Sequence, residues 1–261
     1  MKPPFLETEA LGAQLDDAQV RATTTRQPSD LTPLGIDAAY AVQHALLARR
    51  VARGEKPVGV KLGFTSLAKA RQMGVGELII GTITDRMQVQ DGGTLDRRTF
   101  IHPRIEPEVA YLIGRDIAPD DPLDPTAIVA VAPALEIIDS RYEDFRFDLG
   151  DVVADNTSAA AFAVGPWASP SAAGDLGNRA VLLEIDSRIV ETGSTAAILG
   201  DPARALPAAQ RLGAAHGFAL RAGTILLAGA ATAAVALPAR GIVEATITGL
   251  GRVSVRIEGA A

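Results

Sequence analysis

Arg104-Ile-Glu-Pro-Glu-Val-Ala-Tyr-Leu-Ile-Gly114 is the stretch from which the fold of this 261-residue chain is read. Its alternation is that of a strand. Ile105, Val109, Tyr111 and Ile113 fall on one face, while Glu106 and Glu108 share the other, about 7 Å apart along it. Two neighbouring anions on a strand face either water or a divalent cation. A second run, Ala127-Ile-Val-Ala-Val-Ala-Pro-Ala-Leu-Glu-Ile-Ile-Asp139, places Glu136 inside an apolar segment. A buried carboxylate must be paired or neutralised. Its partner is either an arginine such as Arg141, in a structural salt bridge, or a metal shared with Glu106 and Glu108.

Outward from these two runs, the chain after Gly54 is a series of short β-like segments broken by Gly, Pro and Asp. Strands are expected over 58–64, 105–114, 128–138, 179–185, 188–192, 224–228, 241–247 and 251–257. Short helices are expected at 67–73 and 202–212. Strands without a regular strand–helix alternation favour an α+β fold with a mixed, curled sheet over a doubly wound parallel one. Ahead of it, residues 7–24 and 38–53 read as helices, the second capped by Asp37 and stopped by Gly54. The expected organisation is an N-terminal helical layer over residues 1–57 and a catalytic sheet domain over 58–261.

Two further segments carry chemistry. In Val58-Gly-Val-Lys-Leu-Gly-Phe-Thr-Ser66, Lys61 points away from the apolar face of its strand, between two glycines. Glycine at i±2 is expected where a ligand or another backbone comes close; a solvated edge lysine is the alternative. Asp139-Ser-Arg-Tyr-Glu-Asp-Phe-Arg-Phe-Asp-Leu149, followed by Asp155-Asn-Thr-Ser158, is either a charged surface loop or a wall of the site that holds Glu136.

Composition excludes much else. There is no cysteine and only three histidines, His44, His102 and His216, none at ligand spacing. Thiolate zinc, iron–sulfur clusters and a cysteine nucleophile are therefore excluded, and any metal must be a hard cation on oxygen ligands. A net charge of −6 without a basic run opposes nucleic-acid binding. No P-loop, G-x-G-x-x-G or G-x-S-x-G motif occurs. The N-terminus lacks the apolar core of a signal peptide. The uncharged stretch 222–239, rich in Ala and Gly and interrupted by Pro238, reads as buried strand and turn, not a membrane span. A cytoplasmic location is expected.

In this order and spacing, the four segments resemble the fumarylacetoacetate hydrolase superfamily, and within it the hydratases and decarboxylases of aromatic meta-cleavage catabolism. The resemblance runs from about Asp37 to the C-terminus. It implies a mixed β-roll binding Mg²⁺ or Mn²⁺, with Glu106, Glu108 and Glu136 as metal ligands and Lys61 as the catalytic lysine. Arg141, Ser158, Thr232 and Ile79 would contact substrate, Arg141 holding its distal carboxylate.

Three features resemble the 4-oxalocrotonate decarboxylases more than the hydratases: the segment Asp139–Leu149, the late Thr232-Ala-Ala-Val235, and Ile79 where hydratases often carry aspartate. Ala239-Arg-Gly241 departs from the family's usual Gly-Asp. The implied reaction is metal-dependent decarboxylation of 2-oxohex-3-enedioate, a small 2-oxo dicarboxylate, to 2-hydroxypenta-2,4-dienoate. Hydration of that dienoate is the second reading, and a non-catalytic partner subunit of a hydratase the third. A homo-oligomer or a complex with a hydratase is implied by the same resemblance.

Overall fold

The computed structural model describes residues 5–66, 77–121 and 125–259. The helix expected at 67–73 lies outside them. Five helices are described: α1 (Phe5–Arg21), α2 (Ile36–Ala52), α3 (Leu149–Ala154), α4 (Pro170–Ala173) and α5 (Ala205–His216). The strands are β1 (Pro57–Gly63), β2 (Ile79–Thr84), β3 (Gln88–Val89), β4 (Thr94–Asp96), β5 (Arg104–Ile113), β6 (Ile128–Ile138) and β7 (Ala159–Val164). They continue with β8 (Ala180–Ile185), β9 (Arg188–Ser194), β10 (Ile225–Ala230), β11 (Val235–Ala236), β12 (Gly241–Ile247) and β13 (Gly251–Glu258).

The larger sheet runs β2-β1-β10-β5-β6-β7-β3, with β11 also paired to β5. β1 pairs parallel with β10, and β3 with β7; the remaining pairs in this sheet are antiparallel. β2 and β3 lie at opposite edges yet are joined through only Asp85–Met87. A link of three residues spans little more than about 10 Å, so the two edges must approach and the sheet curls into a roll. The second sheet, β4-β13-β12-β8-β9, packs on it through β12 and β13, which lie against β6.

Curling gives the sheet an inside and an outside. Outside, Val60, Leu62, Ile80, Val109, Tyr111 and Ile113 bury against Leu15 of α1, Tyr40, Val42 and Leu46 of α2, and Leu206 and Leu212 of α5. The helical layer thus shares one apolar cluster with the roll. Farther along the same face, Ile105, Leu135 and Ile137 pack on Val243, Val253 and Val255 of the second sheet. Inside, a smaller cluster forms from Ile83, Met87, Ala110, Ala134, Phe162, Ile225 and Leu227. Both faces of β5 and β6 are therefore covered, which is why Glu108 and Glu136 are buried.

Several expectations shift. Asp37 does not cap α2: Gly35 occupies the cap position with an extended backbone and no side-chain bond, and Asp37 lies in the first turn, where the helix dipole favours an anion. Gly54, at φ +91°, does terminate the helix. The segment 202–212 begins as a single 3₁₀ turn at Pro202–Arg204 and becomes helical from Ala205 to His216. β2, β7 and α3 were not foreseen. β7 is Ala-Ala-Ala-Phe-Ala-Val, poor in strand formers, and is made a strand by its pairing with β6. α3 begins with a reciprocal cap in the charged segment: Asp151 N–H donates to Asp148 Oδ1 at 2.8 Å and Asp148 N–H to Asp151 Oδ2 at 3.1 Å.

Candidate metal and substrate site

Register builds the site. Glu106 on β5 stands directly opposite Glu136 on β6, and Glu108 lies one pleat farther along the same face. Lys61 pairs with Leu227 and Leu227 with Ala110, which places the lysine on that inner face too. Single carboxylate oxygens of Glu106, Glu108 and Glu136 all come within 4.8 Å of one another, a separation that one cation could bridge.

The environment of these groups is costly without a positive charge. Glu108 and Glu136 are buried, at 0% and 1% exposure, while Glu106 is partly exposed. Burial, reinforced by the Glu136 and Glu106 carboxylates, pushes Glu108 well above the usual carboxylate range, against the pull of Lys61 and the Gly229 N–H. Burial also raises Glu136, with Lys61 opposing it. For Lys61 burial acts downward, but the three carboxylates outweigh it and hold the amine above its ordinary value. The lysine is therefore an ammonium, 3.0 Å from Glu136 Oε1. Apart from that ion pair, both Glu136 oxygens, like Glu108 Oε1, lack a hydrogen-bond donor. Glu108 Oε2 accepts from Gly229 N–H at 2.7 Å. Buried carboxylate oxygens without donors, converging on one point, fit a hard divalent cation with oxygen ligands.

The glycines around Lys61 have a specific neighbour. The segment Asn156-Thr157-Ser158 runs past β1 and β2 so closely that a Cβ on Gly63 would lie 2.7 Å from Thr157 Cγ2, and one on Gly81 2.8 Å from the Asn156 carbonyl oxygen. In return the Thr157 carbonyl accepts from Lys61 Nζ at 3.1 Å. Of the two glycines flanking Lys61, Gly59 thus faces a backbone, the Ile225 carbonyl of β10, whereas Gly63 faces the side chains of Ile79 and Thr157. Gly81→Ala is expected to destabilise the protein by about 1–3 kcal/mol, as overpacking does, and to reduce turnover by displacing this segment. Thermal melts and assays of the purified variant check this; a normal melt with full turnover would mean that the close approach is dispensable.

The remaining expected site residues separate. Ile79 is buried beside Gly63, within the same wall. Ser158 Oγ and Thr157 Oγ1 are buried without hydrogen-bond partners. Thr232 follows Ala230, the residue paired with Glu108, and its hydroxyl donates to the Ala233 carbonyl at 2.9 Å. Arg141 requires correction. It neither pairs with Glu136 nor presents a fork to a ligand: it is fully buried and ion-paired through Nε to Asp155. Its other donors go to the carbonyls of Asp139 at 2.8 Å, Ala159 at 3.0 Å, and Asp155. With four of its five N–H donors taken by the protein, Arg141 braces the loop that carries residues 155–158. Burial still pushes Asp155 up to about 6, although the guanidinium draws it down. Asn156 and Thr157 lie in the stretch that the sequence offered as a wall of the Glu136 site, but no role was assigned to either.

Comparisons with known proteins give the family. The family model of the fumarylacetoacetate (FAA) hydrolase C-terminal region matches residues 77–258. A 4-oxalocrotonate decarboxylase from Pseudomonas sp is 46% identical over 251 residues, covering 95% of this chain and 97% of the relative. A 2-keto-4-pentenoate hydratase from Paraburkholderia xenovorans (strain LB400) is 33% identical over 228 residues, covering 86% and 85%. Among solved structures, 4-oxalocrotonate decarboxylase from Pseudomonas putida G7, complexed with magnesium and adipate, matches with a TM-score of 0.90 and 36% identity over 97% of both chains. Fumarylpyruvate hydrolase from Pseudomonas aeruginosa matches with a TM-score of 0.60 at 18% identity over 77% of this chain and 89% of that one, a likeness of fold alone. With the inward-facing carboxylates on β5 and β6, the curled sheet and these matches taken together, the chain belongs to the fumarylacetoacetate hydrolase family.

Proposed function

We propose that this chain decarboxylates 2-oxohex-3-enedioate to 2-hydroxypenta-2,4-dienoate and CO₂, with Mg²⁺ or Mn²⁺ held by Glu106, Glu108 and Glu136. The observation that carries the reading is the buried convergence of these three carboxylates on one point with an ammonium beside them. The most similar relatives described above, at 46% and 36% identity, are decarboxylases, whereas the hydratase stands at 33%. The adipate in the Pseudomonas putida G7 structure is itself a six-carbon dicarboxylate.

The substrate is a vinylogous β-keto acid. Breaking the C5–C6 bond releases CO₂ and sends its electron pair through C4 and C3 to the 2-oxygen, leaving a dienolate that takes one proton. A divalent cation supplies Lewis acidity to the 1-carboxylate and 2-oxo group, where the negative charge collects. The protein's own contribution is a preorganised positive charge. Lys61, fixed between Glu136 and the Thr157 carbonyl, stabilises the developing enolate and can return a proton to it. Ile79 supplies an apolar wall that keeps water from the dienolate, and Ser158 Oγ a free hydroxyl toward the substrate. Thr232 borders the Glu108 end of the pocket.

Among the described residues no helix is long and apolar enough to cross a membrane. We further propose a homo-oligomer, or a complex with a hydratase, acting in the cytoplasm on aromatic breakdown products. The test is incubation of the purified protein with 2-oxohex-3-enedioate and, separately, 2-hydroxypenta-2,4-dienoate, with Mg²⁺ and with chelator. CO₂ release that chelator abolishes is the expected result. Consumption of the dienoate without CO₂ release would make the chain a hydratase, and activity only after addition of a second protein would make it a partner subunit.

A further inference from the structure

Asn156, Thr157 and Ser158 lie consecutively at φ +48°, +55° and +56°. Three left-handed residues in a row, none of them glycine and one β-branched, are strained. Such backbone persists only where its surroundings over-determine it, and it concentrates at working sites. Besides the Arg141 brace, one side chain of the run itself holds it to the sheet. The Asn156 amide reaches across to β2, its Oδ1 accepting from Thr82 N–H at 2.8 Å and its Nδ2 donating to the Thr82 carbonyl at 2.9 Å. It therefore pairs with the strand much as a neighbouring backbone would. Asp155 and Asp139 close the other end: Ser158 N–H donates to the Asp155 carbonyl and Asp139 N–H to the Ser158 carbonyl, at 2.9 and 2.8 Å.

The product of this arrangement is the direction of one carbonyl. In a relaxed turn the Thr157 peptide would be free to rotate; held left-handed, it aims its oxygen at Lys61 Nζ. An ammonium has three N–H donors. One is taken by Thr157, and the Glu136 carboxylate attracts the ammonium from 3.0 Å; together they fix the position of Nζ and limit where its remaining N–H groups point.

We propose that Asn156 is a positioning residue for Lys61: by clamping onto the Thr82 backbone it holds the left-handed run, and through the Thr157 carbonyl it fixes the ammonium so that one N–H is directed at the reacting oxygen. The kinetic part of this inference rests on the decarboxylase reading above; the geometric part does not. The Asn156 side chain is hydrogen-bonded to the Thr82 backbone and acts through the lysine.

Asn156→Gly separates this role from a merely structural one. Glycine accepts φ +48° without strain, so the backbone is relieved while the clamp is lost. The expected result is a fall in kcat of about 10–100-fold, the effect of a displacement near 1 Å in a catalytic group, with KM and Mg²⁺ affinity little changed. In a Lys61→Ala background the same substitution is expected to have no further effect, because the two act as one unit. A crystal structure of Asn156→Gly should show the Thr157 carbonyl turned away from Nζ. Unchanged kcat, equal losses in both backgrounds, or an unmoved carbonyl would each overturn the proposal. If the parent protein releases no CO₂ from 2-oxohex-3-enedioate, the functional reading fails, and the crystal structure of the variant alone decides the positioning role.

Discussion

Glu108→Gln is expected to yield a folded protein that has lost Mg²⁺-dependent turnover by about 10³-fold or more, the several kcal/mol of transition-state stabilisation that a Lewis acid supplies. The substitution keeps the shape of the side chain and the acceptor that receives the Gly229 N–H, so local packing survives. It removes one of three carboxyl groups whose oxygens converge within 4.8 Å, and with it an anionic ligand for a divalent cation. The metal-free variant should melt no lower than the metal-free parent, since burial and neighbouring carboxylates already disfavour the charge on Glu108. The parent should gain thermal stability on adding Mg²⁺, by mass action on the folded state, and the variant should not. Melting curves with and without Mg²⁺, together with turnover, check both halves. A variant that keeps its Mg²⁺-induced stabilisation and its activity would remove Glu108 from the ligand set.

Arg141→Met tests the opposite kind of residue. A side chain that held the substrate's distal carboxylate would, on removal, leave a stable protein with a greatly raised KM. The geometry instead makes Arg141 a brace: fully buried, it neutralises an equally buried Asp155 and satisfies three loop carbonyls. Removing one partner of such a pair leaves an uncompensated charge in the interior and costs about 3–5 kcal/mol. The expected outcome is a large loss of stability in urea denaturation. Any loss of activity should follow from displacement of residues 155–158. Unaltered stability combined with a selective rise in KM would restore Arg141 as the carboxylate clamp.

The contrast between these residues marks the limit of reading along a chain. Glu106, Glu108 and Glu136 were legible because strand alternation puts the first two on one face and because a carboxylate inside an apolar run needs a partner. Lys61 was legible from its flanking glycines. Arg141 was misplaced because an arginine five residues after a site glutamate looks available for either role; its partner, Asp155, lies across a helix whose start is hidden in a segment dense with charge. β7 was illegible for a different reason: an alanine-rich hexapeptide has little strand preference, and only pairing with β6 makes it one.

Local chemistry was thus written in the order of residues: an α+β chain, a carboxylate set suited to a hard cation, and no soft ligands to compete with it. Those conclusions need only side-chain alternation and the cost of burying charge, both of which are properties of short segments. What arose only on folding was the register that sets Glu106 opposite Glu136, the curl that turns their face inward, and the passage of Asn156 and Thr157 over Gly63 and Gly81. Each of these joins segments that are far apart along the chain. They are decided by which strands pair and how the sheet closes, a global balance of packing that no single segment contains.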